Sequence, residues 1–307
     1  MKKFTWLLIV FNFFIVNIIV FAQNPASDFV FDIDAQGRVS IVEYIGTSPN
    51  VVIPREIQGF PVVSVSGFGS FEGNTILQRV TIPEGVIELG WYAFTNCKNL
   101  VEVNLPSTLT TIGRFAFFGC TRLQRIILPS NVRYFDEGVF QNSGLTSITL
   151  PVGIKIIPVW MFKGTPIEQI VIPEGVTHIA GEAFADCKYL RVISLPSTIQ
   201  RIGNSYLFSD VGIIGARYNN NEPLPQPFEG LSGIPERAGG NSVGGTFKNC
   251  ENLTVINIPN SISQIEFVTH YEFWGHYYGE EAFVGCRNIS LAVQERLRQL
   301  GYMGNFR

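Results

Sequence analysis

The sequence predicts one mostly β solenoid, in which about eight short coils stack on one another. A phrase of alternating apolar residues that ends in proline returns every 22 or 23 residues, and a phenylalanine returns at the same place in each row. The 307 residues are 46% hydrophobic and only 15% charged, which is enough apolar material for a continuous interior. Length alone suggests about two domains, but a regular repeat predicts one stack instead.

The N-terminal 22 residues have the pattern of a secretory signal peptide. Lys2 and Lys3 precede an apolar run, and the small residue Ala22 ends it, which predicts cleavage after Ala22. An uncleaved membrane anchor is the alternative, because the run is almost long enough to span a bilayer. Asn12 and Asn17 within the run disfavour that anchor. We therefore expect an exported protein, at the cell surface or secreted, with the periplasm also open.

The charge balance argues against a nucleic-acid partner. Loss of Lys2 and Lys3 reduces the basic residues from 22 to 20, against 25 acidic residues, so the exported chain carries a net charge of −5. A nucleic-acid-binding surface needs a basic excess. The sequence predicts no such surface, and no membrane span after cleavage.

The period is read most directly from the prolines and phenylalanines. The phrase ends at Pro83, Pro106, Pro129, Pro151, Pro173, Pro196 and Pro259, with intervals of 23, 23, 22, 22 and 23 residues from Pro83 to Pro196. The phenylalanine recurs at positions 71, 94, 117, 140, 162, 184, 247 and 283. Because no single coil can bury its own apolar face, neighbouring coils must share one interior, which the phenylalanines fill.

One row shows the structure expected of each coil. Val101 and Val103 point inward from a short strand while Glu102 points outward, and Pro106 ends the strand where no ladder donor is needed. A second extended piece, Leu109–Ile112, turns the coil toward the phenylalanine. Each coil therefore contributes two short strands to the stack.

The rows resemble the BspA-like subfamily of leucine-rich repeats, whose units end in the motif A-F-x-x-C. The closest matches are Ala93–Cys97, Ala116–Cys120, Ala183–Cys187 and Ala282–Cys286. Residues 29–62 also resemble the N-terminal cap of that family. The resemblance covers residue 28 to the end and implies a leucine-rich-repeat solenoid in an exported surface protein that contacts host or neighbouring-cell proteins. Adhesion is implied by the resemblance alone, since a solenoid is a scaffold for many functions.

Both ends of such a stack need caps, which divides the chain into four parts: signal peptide 1–22, N-terminal β cap 23–65, repeats 66–289 and C-terminal helical cap 290–307. Ser290 is a good N-cap for a helix over Leu291–Leu300, and Gly301 is a good stop. We expect Leu291, Leu297 and Leu300 to cover the last coil, and Arg296 and Arg298 to be solvated.

The five cysteines occupy one equivalent position, three residues after the recurrent phenylalanine: Cys97, Cys120, Cys187, Cys250 and Cys286. Export favours disulfides. Against this, the number is odd, other rows place Asn74, Ser143 and Thr165 there, and equivalent side chains in stacked coils point in parallel, which is poor geometry for a bridge. We expect buried free thiols that fill space.

Two rows are interrupted, at about 204–245 and 267–280. The step from the second-strand isoleucine to the phenylalanine is five residues from Ile112 to Phe117, but 45 from Ile202 and 18 from Ile265. Both insertions enter adjacent coils at the same point, so we expect them on one edge of the solenoid, where repeat proteins often bind partners.

The smaller insertion carries the candidate binding residues: His270, Tyr271, Phe273, Trp274, His276, Tyr277 and Tyr278. Such rings stack on sugars or anchor a protein partner. Alternatively, they pack the larger insertion against the solenoid. The spacing of His270, Glu272 and His276 matches no metal-ligand motif, so no metal or other cofactor is expected.

The sequence contains no catalytic motif of the nucleophile-elbow, zinc-protease or phosphate-loop type. Only the adjacent pair Glu280 and Glu281 invites a glycosidase test, and neighbouring glutamates usually form a solvated turn. The leading hypothesis is a non-catalytic exported recognition protein that binds an extracellular or cell-surface protein. A carbohydrate-binding protein that uses the aromatic insertion, and a structural envelope component, are the alternatives.

Overall fold

The computed structural model describes residues 22–66, 69–203, 245–262, 264–265, 282–302 and 304–306. These residues form a mostly β solenoid with one C-terminal helix, so the predicted fold class is confirmed. The strands are β1 (Phe29–Ile33), β2 (Val39–Tyr44), β3 (Asn50–Val52), β4 (Glu56–Ile57), β5 (Phe60–Val65), β6 (Arg79–Thr81), β7 (Glu88–Leu89), β8 (Glu102–Asn104), β9 (Thr111–Ile112), β10 (Tyr134–Phe135), β11 (Ile156–Ile157), β12 (Gln169–Val171), β13 (His178–Ala180), β14 (Val192–Ser194), β15 (Arg201–Gly203), β16 (Val255–Ile256) and β17 (Gln264–Ile265). The helix is α1 (Leu291–Gln299), preceded in the chain by a short 3-10 turn at Ala26–Asp28.

Short strands at two positions of the repeat build two separate parallel ladders. Residues 123–128 and 145–150, where the repeat predicts first strands, form none, so the expectation of two strands in each coil is wrong for these two rows. The first ladder contains β3-β6-β8 and, further along, β12-β14-β16. The second contains β5-β7-β9-β10 and then β11-β13-β15-β17. The register follows the repeat, since Val80 lies beside Val103 and Ile170 beside Ile193, so inward residues of successive coils meet in the core.

The chain reverses around the recurrent phenylalanines because the residue two places after each of them has a left-handed backbone, as does the residue two places before in seven rows. The positions after it are Gly73, Asn96, Gly119, Asn142, Gly164, Asp186, Asn249 and Gly285, all with φ between 55° and 76°. Glycine, asparagine and aspartate tolerate this conformation best. The presence of one of these three residue types at this position in every row therefore permits the turn.

The recurrent phenylalanines form one continuous ring column along the solenoid. Consecutive centroids from Phe71 to Phe283 are 4.9 to 5.8 Å apart, and consecutive ring planes differ by 4° to 23°. All eight side chains are buried. The predicted role of these residues as the filler between coils is confirmed.

The N-terminal cap is the expected β structure. Strands β1 and β2 pair antiparallel, and β2 then pairs parallel with β5, which connects the cap to the second ladder. Tyr44 occupies the place of the phenylalanine, since its ring stacks on Phe71 with 5.1 Å between centroids. The Tyr44 hydroxyl accepts a hydrogen bond from the Ser48 backbone N–H at 3.0 Å, which holds the ring in place.

The C-terminal helix begins and stops where the sequence indicated, but it covers the last coil differently. Ser290 accepts a hydrogen bond from the Val293 N–H, and Gly301 has φ +88°. Leu297 is buried and Leu300 packs against the core. Leu291 is 75% exposed, so its expected place in the cover is wrong. It stands in the first helical turn on the side away from the core.

Tyr302 and Phe306 supply the missing part of that cover. The Tyr302 N–H bonds to the Leu297 carbonyl and the Gly301 N–H to the Arg298 carbonyl, which is the Schellman pattern that turns a chain back at a helix end. This turn buries Tyr302 completely, with its ring edge-on to Phe283 at 5.5 Å.

The side chains of Arg296 and Arg298 contact other parts of the protein. Arg296 donates to the Asn260 side chain at 2.8 Å, and Arg298 lies over the Phe306 ring, 5.6 Å from its centroid. Both contacts join the cap to neighbouring segments. The expectation of purely solvated side chains is therefore wrong.

All five cysteines are buried free thiols, as predicted. Each thiol donates a hydrogen bond to the carbonyl of the recurrent phenylalanine one coil earlier, at Sγ–O distances of 2.9 to 3.1 Å. Without the thiol, this carbonyl at the coil interface would accept fewer hydrogen bonds. The cysteines therefore fill space in the core and also join neighbouring coils by hydrogen bonds.

The two shorter rows depart from this arrangement. From Phe140 to Leu145 and from Phe162 to Ile167 the chain takes five residues, where Phe117 to Leu123 takes six. These are the rows with Ser143 and Thr165 in the cysteine position. Thr165 donates to the carbonyl of its own Phe162 at 2.7 Å. The buried Ser143 hydroxyl has no hydrogen-bond partner.

Candidate recognition surfaces

The seven candidate binding residues of the sequence analysis lie outside the described residues. His270, Tyr271, Phe273, Trp274, His276, Tyr277 and Tyr278 all fall within 266–281, and nearly all of the larger insertion falls within 204–244. The described residues do establish where the insertions start. Strand β15 pairs with β17 so that Ile202 lies beside Ile265, and both interruptions follow directly after these strands. The two insertions leave adjacent coils at one edge.

The first ladder has an outward side, which we call the strand face: the outward side chains of β6, β8, β12, β14 and β16 and of the matching positions 125, 127, 147 and 149. Its N-terminal part is charged and polar. Arg79 Nε lies 3.2 Å from Glu102 Oε2, and the Asn104 amide donates to Glu102 Oε1 at 3.2 Å. Because both ion-pair partners are about half exposed, this pair contributes little to stability and leaves polar groups available to a partner.

The C-terminal part of the strand face is apolar and exposed. Ile127 is 87% exposed, Val171 69% and Val255 53%, and Val192 lies beside Val255 in the ladder. Isolated exposed apolar residues are ordinary, whereas several on one regular flat surface are typical of an interaction site. The repeat places them in two adjacent columns: Ile127 and Val171 occupy one, with Thr149 between them and Ser194 after them, and Val192 and Val255 occupy the other.

A second surface runs along the turn between the second strand and the recurrent phenylalanine. The position two residues before the phenylalanine has φ between 53° and 76° in seven rows, occupied by Gly69, Tyr92, Phe115, Gly138, Trp160, Glu182 and Gly245. Glycine adopts this conformation without penalty, while a bulky residue there carries strain of about 1–3 kcal/mol. We call the three partly exposed rings of Tyr92, Phe115 and Trp160 the aromatic edge.

The rings of the aromatic edge contact one another along the solenoid axis. Tyr92 and Phe115 have centroids 5.6 Å apart, and Phe115 and Trp160 have centroids 6.3 Å apart with planes 16° from parallel. Gly138, in the coil between them, makes room for this contact, since a Cβ there would lie 2.1 Å from Phe115 Cε1. Phe118 packs edge-on against Phe115 at 5.7 Å. The edge is thus one row of preorganised rings.

Charged side chains accompany these rings in neutral pairs. Arg114 lies over the Phe115 ring, 5.2 Å from its centroid, and pairs with Glu137 at 2.8 Å. Glu182 accepts a hydrogen bond from Trp160 Nε1 at 3.1 Å and forms an ion pair with Lys163. Desolvation raises the pKa of Glu137, although Arg114 acts in the opposite direction. The sequence analysis did not find this surface, although Tyr92, Phe115 and Trp160 share one offset from the recurrent phenylalanine.

The thiols are unsuited to nucleophilic chemistry. Burial raises the pKa of Cys97 and of Cys187 to about 12, and it raises the pKa of Cys120 and of Cys250 well above the ordinary value. At neutral pH these groups are protonated and shielded, whereas a reactive cysteine is an accessible thiolate. Within the described ranges, no three His, Cys, Asp or Glu side chains are close enough together to hold a metal ion. No helix among those ranges has the length and apolar character needed to cross a bilayer.

Solved structures similar to this chain are bacterial leucine-rich repeat proteins. A leucine-rich repeat protein of T. pallidum is 23% identical, with 93% of this chain and 99% of that chain covered and a TM-score of 0.56, which shows the fold. A leucine-rich cell surface protein of Faecalibacterium prausnitzii is 20% identical, with coverage of 88% and 82% and a TM-score of 0.43. No curated protein matches the sequence significantly.

The repeat itself is matched by a family model. The model for the BspA type leucine-rich repeat region matches six copies, over residues 63–166, 155–221 and 243–273. These ranges span more than half of the chain and include seven of the eight recurrent phenylalanines and four of the five cysteines. The chain therefore belongs to the BspA-type leucine-rich repeat family.

Proposed function

We propose that this chain is an exported, non-catalytic recognition protein that adheres to an extracellular or cell-surface protein through its strand face. BspA-type repeats generally occur in protein-interaction or surface proteins, which supports this assignment. The observation that carries it is the group of exposed apolar side chains on the strand face, with Ile127 and Val171 in one column and Val255 beside Val192 in the adjacent column. A hydrophobic centre with a polar rim is the usual composition of a protein interface.

The charged pairs beside these apolar side chains favour a protein partner over a small molecule. The Arg79–Glu102 pair stands at one end of the ladder, and Arg191 pairs with Glu168 at 2.7 Å where β12 and β14 begin. Both pairs are well exposed, so they act as rim groups that set orientation and association rate more than affinity. The face is flat and open, which suits a broad macromolecular contact.

Export rests on the sequence of residues 1–22, which lie outside the described residues except for Ala22. A basic start, an apolar run and a small residue at its end are the features that a secretory signal peptide requires. Cell fractionation with protease shaving of intact cells tests this part. We expect cleavage after Ala22 and protease-sensitive material outside the cytoplasm; full-length protein retained inside the cytoplasm would contradict it.

Binding is tested with the purified secreted chain against a panel of immobilised extracellular-matrix and cell-surface proteins by surface plasmon resonance. We expect saturable binding to at least one of them. Replacement of Val171 and Val255 by Asp is expected to weaken it at least tenfold, because it places two charges in the apolar centre of the face. The matched control is Val152→Asp, since Val152 is 76% exposed but follows Pro151, outside the ladder.

Three results would overturn this proposal: no saturable binding to any protein of the panel, equal losses in the control, or binding that survives the Val171 and Val255 replacements. The aromatic insertion around 267–278 stays a prediction as a site for protein or glycan binding. A purely structural role in the envelope is the outcome that a protein without any ligand would favour.

A further inference from the structure

The aromatic edge is the part of the molecule that the solenoid itself does not require. Gly69, Gly138 and Gly245 show that glycine fits the left-handed position in this same chain, without strain. Aromatic residues stand there in three of the remaining rows, although the buried phenylalanine column already fills the core beside them. The backbone strain at each of these three positions indicates that the rings have a use at the surface.

The shape of the exposed surface favours a linear ligand. Tyr92, Phe115 and Trp160 face one another along the axis, so that the solvent meets a row one ring wide and three rings long. A globular protein partner buries a broad patch of about 800 Å² on each side. A narrow row that follows the coil spacing of about 4.8 Å instead fits an extended polymer with units of similar length.

The charges favour a ligand that is rich in hydroxyl groups and carries no charge. The Arg114–Glu137 and Lys163–Glu182 pairs balance, so the edge offers no excess charge that would select an acidic or a basic polymer. A guanidinium group donates several hydrogen bonds and a carboxylate accepts several, which matches pairs of sugar hydroxyls. The exposed outer parts of the three rings supply apolar contact for the C–H groups of a sugar.

We propose that the aromatic edge is a binding site for a neutral glycan chain that lies along the solenoid axis. Phe115 and Trp160 form its centre, the partly exposed pair of Arg114 and Glu137 supplies its hydrogen bonds, and Tyr92 extends it toward the N-terminal cap. It is separate from the strand face and does not depend on a protein partner there.

The test uses the secreted chain on an array of neutral and acidic glycans, followed by affinity electrophoresis in gels that contain the retained polysaccharide. We expect saturable retention on at least one neutral glycan. The double variant Phe115→Gly with Trp160→Gly is expected to bind at least tenfold more weakly, while its melting temperature stays within a few degrees of the original protein. Tyr189→Ser, which removes an exposed ring outside both the aromatic edge and the strand face, is the matched control and is expected to bind normally.

A second variant covers the case in which the glycine variant unfolds. Phe115→Leu with Trp160→Met retains apolar volume but removes both rings, and it is expected to lose glycan retention as well. No retention of the original chain on any neutral glycan, retention on acidic glycans alone, full retention by the leucine and methionine variant, or equal loss in Tyr189→Ser would each overturn the proposal. None of these results touches the binding of protein to the strand face, which is measured with other variants and other ligands.

Discussion

The Tyr302 hydroxyl accepts a hydrogen bond from the backbone N–H of Phe283 at 3.2 Å, while the Tyr302 ring meets the Phe283 ring edge-on at 5.5 Å. Phe283 is the last member of the phenylalanine column, and its N–H has no further coil to pair with. Tyr302 therefore satisfies a backbone donor and covers an apolar ring at once. Tyr44 closes the other end of the column in a similar way, through Phe71.

Removal of this closure is expected to destabilise the C-terminal coils. Tyr302→Ala should lower the free energy of unfolding by about 3–5 kcal/mol, the range for loss of a buried aromatic side chain. Tyr302→Phe keeps the ring and leaves one buried N–H unpaired, at a cost of about 1–3 kcal/mol. Urea unfolding followed by circular dichroism measures both. Equal losses in the two variants would contradict the separate roles of ring and hydroxyl.

Loss of a phenylalanine ring inside the column is expected to lower the free energy of unfolding at least as much as loss of Tyr302. Phe117 lies between Phe94 and Phe140, at 5.5 and 5.7 Å, so Phe117→Ala opens a cavity that two coils share. The expected loss is about 3–5 kcal/mol. Tyr134→Ala serves as the control, because Tyr134 is largely exposed in β10 and its loss should change stability by less than about 0.5 kcal/mol. A loss at Phe117 no larger than at Tyr134 would refute the column as the source of stability.

The unsatisfied Ser143 hydroxyl offers a stabilising change. In the neighbouring row Cys120 donates to the Phe94 carbonyl at 3.1 Å, and the equivalent acceptor for position 143 is the Phe117 carbonyl. Ser143→Cys is expected to add about 0.5–1.5 kcal/mol, the net value of one hydrogen bond. Thr165→Cys should add nothing, because Thr165 already has its hydrogen bond to Phe162. A gain at position 165 and none at 143 would show that hydrogen bonding does not govern this column.

The buried thiols predict a loss of stability in alkali. The pKa of Cys97 and of Cys187 rises from an ordinary value of 9.0 to about 12 on folding. The stabilisation from the protonated thiols is complete below pH 9 and is lost as the pH rises from 9 toward 12, because only the unfolded state releases these protons there. Urea unfolding between pH 8 and 11 should show the decline, reduced in Cys97→Ala after correction for its lower starting stability. A pH-independent midpoint in this window would contradict the assignment.

The same burial predicts slow thiol chemistry in the native protein. Ellman's reagent at pH 8 should modify the five cysteines only at the rate of unfolding and should react with all of them at once in urea. Any thiol that reacts within seconds in the native state would show that its burial is incomplete. Non-reducing mass spectrometry gives the complementary check that no pair is oxidised.

The period of the sequence by itself determined the solenoid, the two strand positions of the repeat, the filler role of the phenylalanines and the free state of the cysteines. A repeat is informative because each row is an independent copy of the same packing problem, so one solution such as Val103, Phe117 and Cys120 must serve them all. Helix α1 was also readable, since the Ser290 cap and the Gly301 stop act locally through the backbone.

Only the tertiary structure decided the features that occur once in the chain and the contacts between side chains of neighbouring coils. Tyr302 stands in no repeat, and its role depends on the fold of the chain past α1 onto Phe283. Tyr92, Phe115 and Trp160 are far apart in sequence, and their joint surface exists because a left-handed backbone position recurs in stacked coils and Gly138 leaves room between them. Contacts across coils depend on side-chain geometry, which a periodic pattern does not encode. For this reason the cover of the last coil and the aromatic edge could be recognised only in the folded chain.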